Sequence, residues 1–416
     1  MPKQAPETVY LVYQVVTAAL FRLVFTVNMV YFVTVAGLDP LQLVLVGTAL
    51  ETAVFVFEVP TGIVADTISR RLSVIIGVFL IGAGFLVEGL FPAFWPIIAA
   101  QLVWGIGYTF TSGALQAWIS DEIGEQRAPA VYLRGVRYSQ VGALVATGIS
   151  VALAQAALNI PIVIGGALFG LLGLYLIALM PESGFQLASR QERTALQNMA
   201  HILRSGFGML RLRPALVGIL LIGLFFGLYS EGYDRLWTAH LLERYTFPQL
   251  GSLGVVTWFG LMAAAGQVLT WLATGWVERR FDLNRMAGLV RILAALSALL
   301  VACLAVFALA GNLWLAVGLV LVIGVIREVI SPLYTAWVNH RLDSRVRATV
   351  LSMSGQVDAI GQIAGGPLLG LVARQGSIQV GLLGSALLLA PVLALFGWQM
   401  KNHDEPPGFA PEQTDE

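Results

Sequence analysis

The chain has 416 residues, no formal net charge, 57% hydrophobic residues and only 12% charged ones. A soluble globular chain carries about 25% charged residues, so the composition points to a membrane protein, and the neutral balance argues against a nucleic-acid partner. A single cysteine, Cys303, leaves nothing from which to build a disulfide framework, a zinc site or a thiol pair.

Residues 1–8 form a short polar tail, and no cleavable signal peptide follows, because the first apolar run is too long and lacks a small-residue cleavage site. Apolar runs of membrane length, about 20 residues each, are expected at 10–36, 41–65, 73–92, 95–119, 137–157, 160–180, 214–239, 251–277, 286–309, 313–338, 349–373 and 377–400. Segment 182–213 carries Arg190, Arg193, Arg204, Arg211 and Arg213 and divides the runs into six plus six. It reads as a cytoplasmic linker with an amphipathic helix around Glu192 to Leu212. The domain reading is therefore 1–181, linker 182–213, 214–400, and a disordered tail over 401–416.

Several runs contain residues that hydrocarbon does not tolerate unpaired. A charge at the bilayer centre costs roughly 2.5–3.5 kcal/mol even on the mild insertion scale. Arg22 sits near the middle of the first run and Glu51 near the middle of the second, where they can neutralise one another. Thr48, Glu51, Phe55, Glu58 and Gly62 share one helical face. The second run ends in Glu58-Val-Pro-Thr-Gly-Ile-Val-Ala-Asp-Thr-Ile-Ser-Arg-Arg71. There Gly62 permits close helix approach, Asp66 can face a basic group or a helix N-terminus, and Arg70 and Arg71 hold the loop inside. The fourth run offers Gln101, Tyr108, Ser112 and Gln116 near one face. The seventh places Glu231, Asp234 and Arg235 together toward its outer end, as an outer gate or a solvated mouth. The tenth carries Arg327 beside a polar stripe of Glu328, Ser331, Thr335 and Asn339, and the eleventh carries Ser354, Asp358, Gln362 and Gly365. Such stripes are expected where helices line a shared cavity. Tyr108 and Trp258 are candidates for stacking on a flat cargo, whereas Trp95, Trp118, Trp314 and Trp337 read as interfacial anchors.

Orientation follows from basic residues. With the N-terminus inside, the inside segments hold Lys3, Arg70, Arg71, Arg127, Arg134, Arg137, the linker arginines, Arg279, Arg280, Arg285, Arg341, Arg345, Arg347 and Lys401; the outside segments hold at most Arg235, Arg244 and Arg374. Both termini are expected to be cytoplasmic. An internal repeat supports two halves: Gly105, Ser112, Ala117 and Trp118 recur at a constant offset as Gly324, Ser331, Ala336 and Trp337, and Gly275-Trp-Val-Glu-Arg-Arg280, with Glu278, is a shortened echo of the loop at Gly62–Arg71. No phosphate-binding Gly-x-x-x-x-Gly-Lys-Ser/Thr loop, catalytic triad or metal cluster is apparent, and the four histidines are scattered. No cofactor and no enzymatic activity are expected.

The Gly62, Asp66, Arg70, Arg71 loop resembles the signature between the second and third helices of the major facilitator superfamily of transporters. That resemblance implies an all-α membrane protein of twelve transmembrane helices in two six-helix bundles, with helices 1, 2, 4, 5, 7, 8, 10 and 11 around a central cavity. Gly113–Glu122, Phe225–Trp237 and Arg347–Ser352 look like the tetracycline-efflux-like group of drug–proton antiporters. The expected function is thus proton-coupled efflux of small amphiphilic compounds by alternating access, from a monomer in a prokaryotic inner membrane among its lipids. The alternative is a facilitator or importer of a defined metabolite, or a lipid flippase. Two departures bear on coupling: Gln101 stands four residues before Gly105, where many such exporters have an arginine, and the fifth run has Gly142 and Gly148 without the usual proline. The intramembrane charges and aromatics make Arg22, Glu51, Tyr108, Glu231, Asp234, Trp258, Arg327, Glu328 and Asp358 the candidate substrate and proton pathway, and the loop that carries the resemblance, with its echo, makes Gly62, Asp66, Arg70, Arg71 and Glu278 the candidate inner gate.

Overall fold

The computed structural model describes residues 4–185, 214–280, 286–341 and 344–401. The linker helix expected near 192–212, the tail beyond Lys401 and the side chain of Glu278 lie outside the described residues. Twelve helical passages run along the described chain. They are α1 (Pro6–Phe25, continued by Asn28–Thr34), α2 (Pro40–Thr67), α3 (Arg70–Leu90), α4 (Phe94–Thr111, continued by Ala114–Ile123), α5 (Ala128–Ala154), α6 (Ile160–Leu179), α7 (Pro214–Arg244), α8 (Val256–Arg280), α9 (Met286–Leu309), α10 (Leu313–Arg341), α11 (Ser344–Gln375) and α12 (Ile378–Leu389, continued by Pro391–Lys401).

Among the described residues, ten passages are long and apolar enough to cross a membrane on their own. The other two are α4 and α11. The first is interrupted after Thr111, and the second carries Asp358 and Gln362.

Local chemistry sets the boundaries. Asp39 and Gln42 form a reciprocal capping box at the start of α2, with Pro40 in the first turn. Ser69 caps α3 through its hydroxyl, which accepts from the Leu72 N–H at 2.9 Å. The break in α4 falls at Gly113, whose φ of 70° lies in the left-handed region open to glycine. The break in α1 follows Thr26, whose hydroxyl donates to the Arg22 carbonyl at 2.7 Å.

The internal repeat reappears as packing. Within the first six helices the main pairs are α1 with α5, α3 with α4, α3 with α6 and α2 with α4. Adding six to each number gives pairs that also pack in the second half, α7 with α11, α9 with α10, α9 with α12 and α8 with α10, although there α7 packs more extensively on α12 than α1 does on α6. This is the parallel repeat of two six-helix bundles that the sequence leads one to expect.

The halves meet mainly through α2 against α11 and α7, and α5 against α8. These contacts cluster at the face away from the arginine-rich loops. Gly370 of α11 brings its backbone against Leu41 and Val44 of α2, leaving little room for a side chain. Gln155 at the end of α5 accepts from the Gly254 N–H at 2.8 Å and donates to Thr257 at 3.3 Å. On the arginine-rich side the same helices part. A Cβ placed on Gly62, Gly275 or Gly355 would meet nothing within 4 Å. The structure is therefore sealed at the outer face and splayed at the inner one. Gly62, expected to admit a close helix contact, makes none in this conformation.

Two of the expected interfacial tryptophans are instead core residues. Trp118 is 1% exposed and donates to the Pro181 carbonyl at 2.7 Å; Trp337 is fully buried against Tyr334 and Phe396. A position near the end of an apolar run reads as interface, but the end of each helix is here covered by its own bundle. Trp95 and Trp314 are exposed, as anchors are.

Candidate functional site

Three cavities lie within and between the halves, below the outer seal. The largest, about 620 Å³, is bounded by Arg22, Phe25 and Met29 of α1, Trp237 of α7, Phe259 and Met262 of α8, and Glu328 of α10. A second, about 450 Å³, is lined by Tyr229 and Asp234 of α7, Arg327, Ser331 and Tyr334 of α10, and Ser354, Asp358 and Gln362 of α11. The third, about 530 Å³, lies in the first half between Phe21, Phe25, Leu50, Glu51, Trp104 and Tyr108. Phe25 borders both the first and the third. Helices 1, 2, 4, 5, 7, 8, 10 and 11 all contribute to these walls or to the seal above them, as the resemblance implies.

The charges are paired within this space in a way spacing alone does not reveal. Glu231 and Arg235, one turn apart on α7, bond at 2.7 Å with the carboxylate only 3% exposed. Asp234, on the same helix, turns instead to Arg327 of α10 and binds it through both oxygens, one at 2.7 Å. The Arg327 guanidinium also lies 5.9 Å from the Tyr229 ring and 5.6 Å from that of Tyr233. The planar fork of arginine suits this bidentate, ring-flanked seat, and lysine would not reproduce it. One turn of α11 holds Asp358 and Gln362, whose amide donates to the acid at 2.8 Å. Near the inner end of α2, the Ser112 hydroxyl donates to Glu58 at 3.1 Å.

Two expectations need correction. Arg22 and Glu51 do not form a pair: Arg22 shares the large cavity with Glu328, whose charge acts on it, while Glu51 lies in the third cavity beside Trp104 and Tyr108. Trp258 is not a deep stacking residue. It sits at the outer start of α8, donates to the Pro248 carbonyl at 2.9 Å and packs on Trp314 and Phe247. Tyr108 does face a cavity and is 44% exposed there.

The inner loop is a bracing network inside the first half. Arg70 pairs with Asp121 and, at 3.8 Å, with Asp66. Arg71 donates to the Ile177 carbonyl at 2.6 Å and, through its N–H, to Glu182 at 2.9 Å. Asp66 is largely exposed.

One acid passed over in the sequence emerges here. Glu88 of α3 is wholly buried, accepts from the Gln101 amide at 2.8 Å, and has a second carboxyl oxygen with no partner among the described residues. Gln101 accepts in turn from the Trp104 indole at 3.0 Å. The signal was available, for Glu88 is the only ionisable residue between Leu72 and Leu90.

Comparison with known proteins agrees with this architecture. The Major Facilitator Superfamily description matches residues 11–366. An uncharacterized MFS-type transporter, YxaM of Bacillus subtilis, is 22% identical over 374 residues, spanning 85% of this chain and 86% of its own. Among solved structures, the nucleoside transporter NupG superposes with a TM-score of 0.74 at 15% identity, over 97% of this chain and 100% of NupG. A bacterial homolog of the human lysosomal transporter Spinster, inward-facing and unoccupied, gives 0.73 at 15% identity, over 96% and 98%. A peptide transporter POT in complex with sulfate gives 0.69 at 13% identity, over 96% and 98%. At such identities the structures speak to the fold, and the tetracycline-efflux-like grouping finds no support among them. The chain is a multi-pass membrane transporter rather than an enzyme, and it belongs to the Major Facilitator Superfamily.

Proposed function

We propose that this transporter exports amphiphilic compounds by alternating access in exchange for protons, acting as a monomer in a bacterial cytoplasmic membrane. The observation that carries the reading is the large cavity. Its wall joins Phe25, Met29, Trp237, Phe259 and Met262 with one acid, Glu328, and one base, Arg22. Aromatic and methionine surface accepts varied apolar shapes, and a carboxylate among them favours a cation. The conformation, sealed outside and splayed inside, is the one that loads cargo from the cytoplasm.

Proton exchange follows from the acids. Glu51, Glu328 and Asp358 face cavities, and none has an arginine or lysine within ion-pair distance among the described residues. A cation and a proton can compete for one such carboxylate, so cargo release and protonation become alternatives. With Gln101 in place of the usual arginine, that competition rests on other residues. The seal between α2 and α11 opens as Asp66 engages the second half, and Glu278 the first half near α5, at the inner face. Transport of the cation ethidium into or out of proteoliposomes, with a panel of uncharged compounds, tests the reading; uptake of the uncharged members alone would remove the cation preference.

The second cavity favours a second reading. Tyr229, Ser230, Ser331, Tyr334, Ser354 and Gln362 surround the Arg327–Asp234 pair with hydrogen-bonding groups. That wall suits a polar, multiply hydroxylated or zwitterionic metabolite and would make the chain a facilitator or importer. Competition assays with nucleosides and peptides, the cargo classes named for two of the structural neighbours, separate the two.

A further inference from the structure

Glu88 is used by neither reading above. It sits two residues from the end of α3, with no water-exposed surface. Around it, α4 presents Gln101 and Trp104, and α1 presents Tyr31, whose hydroxyl donates to the Glu88 main-chain carbonyl at 3.0 Å. The residue before α6, Asn159, donates to the Gly89 carbonyl at 3.1 Å. Phe85, one turn back on α3, packs on Trp104 with ring centres 5.6 Å apart and on Phe25. Tyr31 is the titratable neighbour. From the second half the charge of Arg235 reaches Glu88, but that guanidinium is bound to Glu231.

No cation among the described residues pairs with this carboxyl, and only one of its two oxygens has a hydrogen bond. An ionised carboxylate in such surroundings would be a buried charge without compensation, which proteins avoid by neutralising the group. A neutral carboxyl needs no counter-ion and still accepts from Gln101. The connection outward is continuous. Trp104 forms part of the wall of the cavity that holds Glu51 and Tyr108, and its indole N–H fixes the Gln101 amide that in turn holds Glu88.

We propose that Glu88 is a proton-binding site, and that Trp104 and Gln101 tie its occupancy to the state of the adjoining cavity. The ligand is a proton and the step is its loss from, or addition to, one carboxyl oxygen, with no other bond changed. Cargo pressing on the indole shifts the amide and removes the single hydrogen bond on the carboxyl, which changes its hold on the proton. The position of the exporter arginine is occupied by Gln101, so here an amide positions a buried acid. The coupling of the site to transport rests on the proton-exchange reading; the site itself does not.

The test is infrared difference spectroscopy on the purified full-length protein, following the carbonyl stretch of protonated carboxyls. At neutral pH the wild type shows a protonated-carboxyl band that disappears in Glu88→Gln, a substitution of nearly the same shape. Trp104→Phe keeps the ring but frees the Gln101 amide, so the band persists at a shifted frequency. If Glu88→Gln does not fold, Gln101→Leu replaces it and must shift the band by removing the hydrogen bond directly. A band unchanged in Glu88→Gln, or in Gln101→Leu where that variant is used, overturns the proton site, and one unmoved in Trp104→Phe overturns the link to the cavity. Transport that ignores a pH gradient while the band behaves as described would refute proton exchange and leave Glu88 as a static protonated acid.

Discussion

Glu231 and Arg235 bury opposite charges one turn apart on α7. Replacing only the acid, in Glu231→Gln, strands a buried guanidinium and should cost about 3–5 kcal/mol, whereas removing both partners together for apolar residues should restore much of it. Thermal unfolding in detergent reads both, and equal losses in the single and double variants would contradict the pairing. Asp234→Asn acts differently, because Arg327 retains Tyr229 and Tyr233 beside it. One charge-assisted hydrogen-bond set is lost, worth about 1.5–3 kcal/mol, so transport should fall tenfold or more while the protein stays folded. Full transport by Asp234→Asn would sink that role. The charged members of this site were visible in the sequence, since ionisable residues stand out in apolar runs. Their partners were not. Arg327 and Asp234 are 93 positions apart, and helical spacing on one element cannot choose between Asp234 and the nearer Glu328. Glu88 was lost for a related reason: two residues from the end of α3 it reads as interfacial, and its burial is the work of α1, α4 and α6.

In the proposed cycle the helices carry the conformational change, and their contact points are where it can be biased. Gly370 of α11 touches Leu41 and Val44 of α2 at the outer seal. Gly370→Leu cannot be housed there without parting the two helices, so it should favour forms open to the outside. Cysteine labelling at outer positions of α2 should speed up and labelling at inner positions slow down; unchanged rates at both faces would show that this contact is not the seal. The runs themselves were legible from hydropathy, and their boundaries largely match the capping signals at Asp39, Ser69 and Ser377. The breaks within α1 and α4 were not. Glycine and serine at 112–113 are common inside membrane helices, and only the positive φ at Gly113 marks the turn. The α2–α11 approach was equally hidden, because which glycine meets a neighbour depends on which conformation is formed; Gly62 carries the signature yet stands clear here, whereas Gly370 does not.

At the scale of the molecule, two matched bundles are joined at the outer face and apart at the inner one, and in the proposed alternating-access cycle function depends on the balance between this form and its inverse. In that proposed cycle Asp66 tips the balance. It is exposed now, with Arg70 at 3.8 Å, and an acid at a helix N-terminus is worth about 0.3–1 kcal/mol. Asp66→Asn should therefore raise the inward-open population roughly two- to fivefold, read as slower labelling of outer cysteines. The twofold plan was legible because it is written in a repeat of constant offset, and it survives as matched packing pairs. Cargo and coupling are not written that way, since they depend on cavity walls assembled from many helices. In the proposed mechanism, proton entry through intramembrane acids drives export. Its most direct measurement is efflux of ethidium from right-side-out proteoliposomes with and without an acidic exterior, for the wild type and for Glu51→Gln, Glu328→Gln and Asp358→Asn. Proton-driven export requires faster efflux under the gradient in the wild type and loss of that gradient dependence in at least one variant. Wild-type efflux indifferent to the gradient, or full gradient dependence in all three variants, would contradict it.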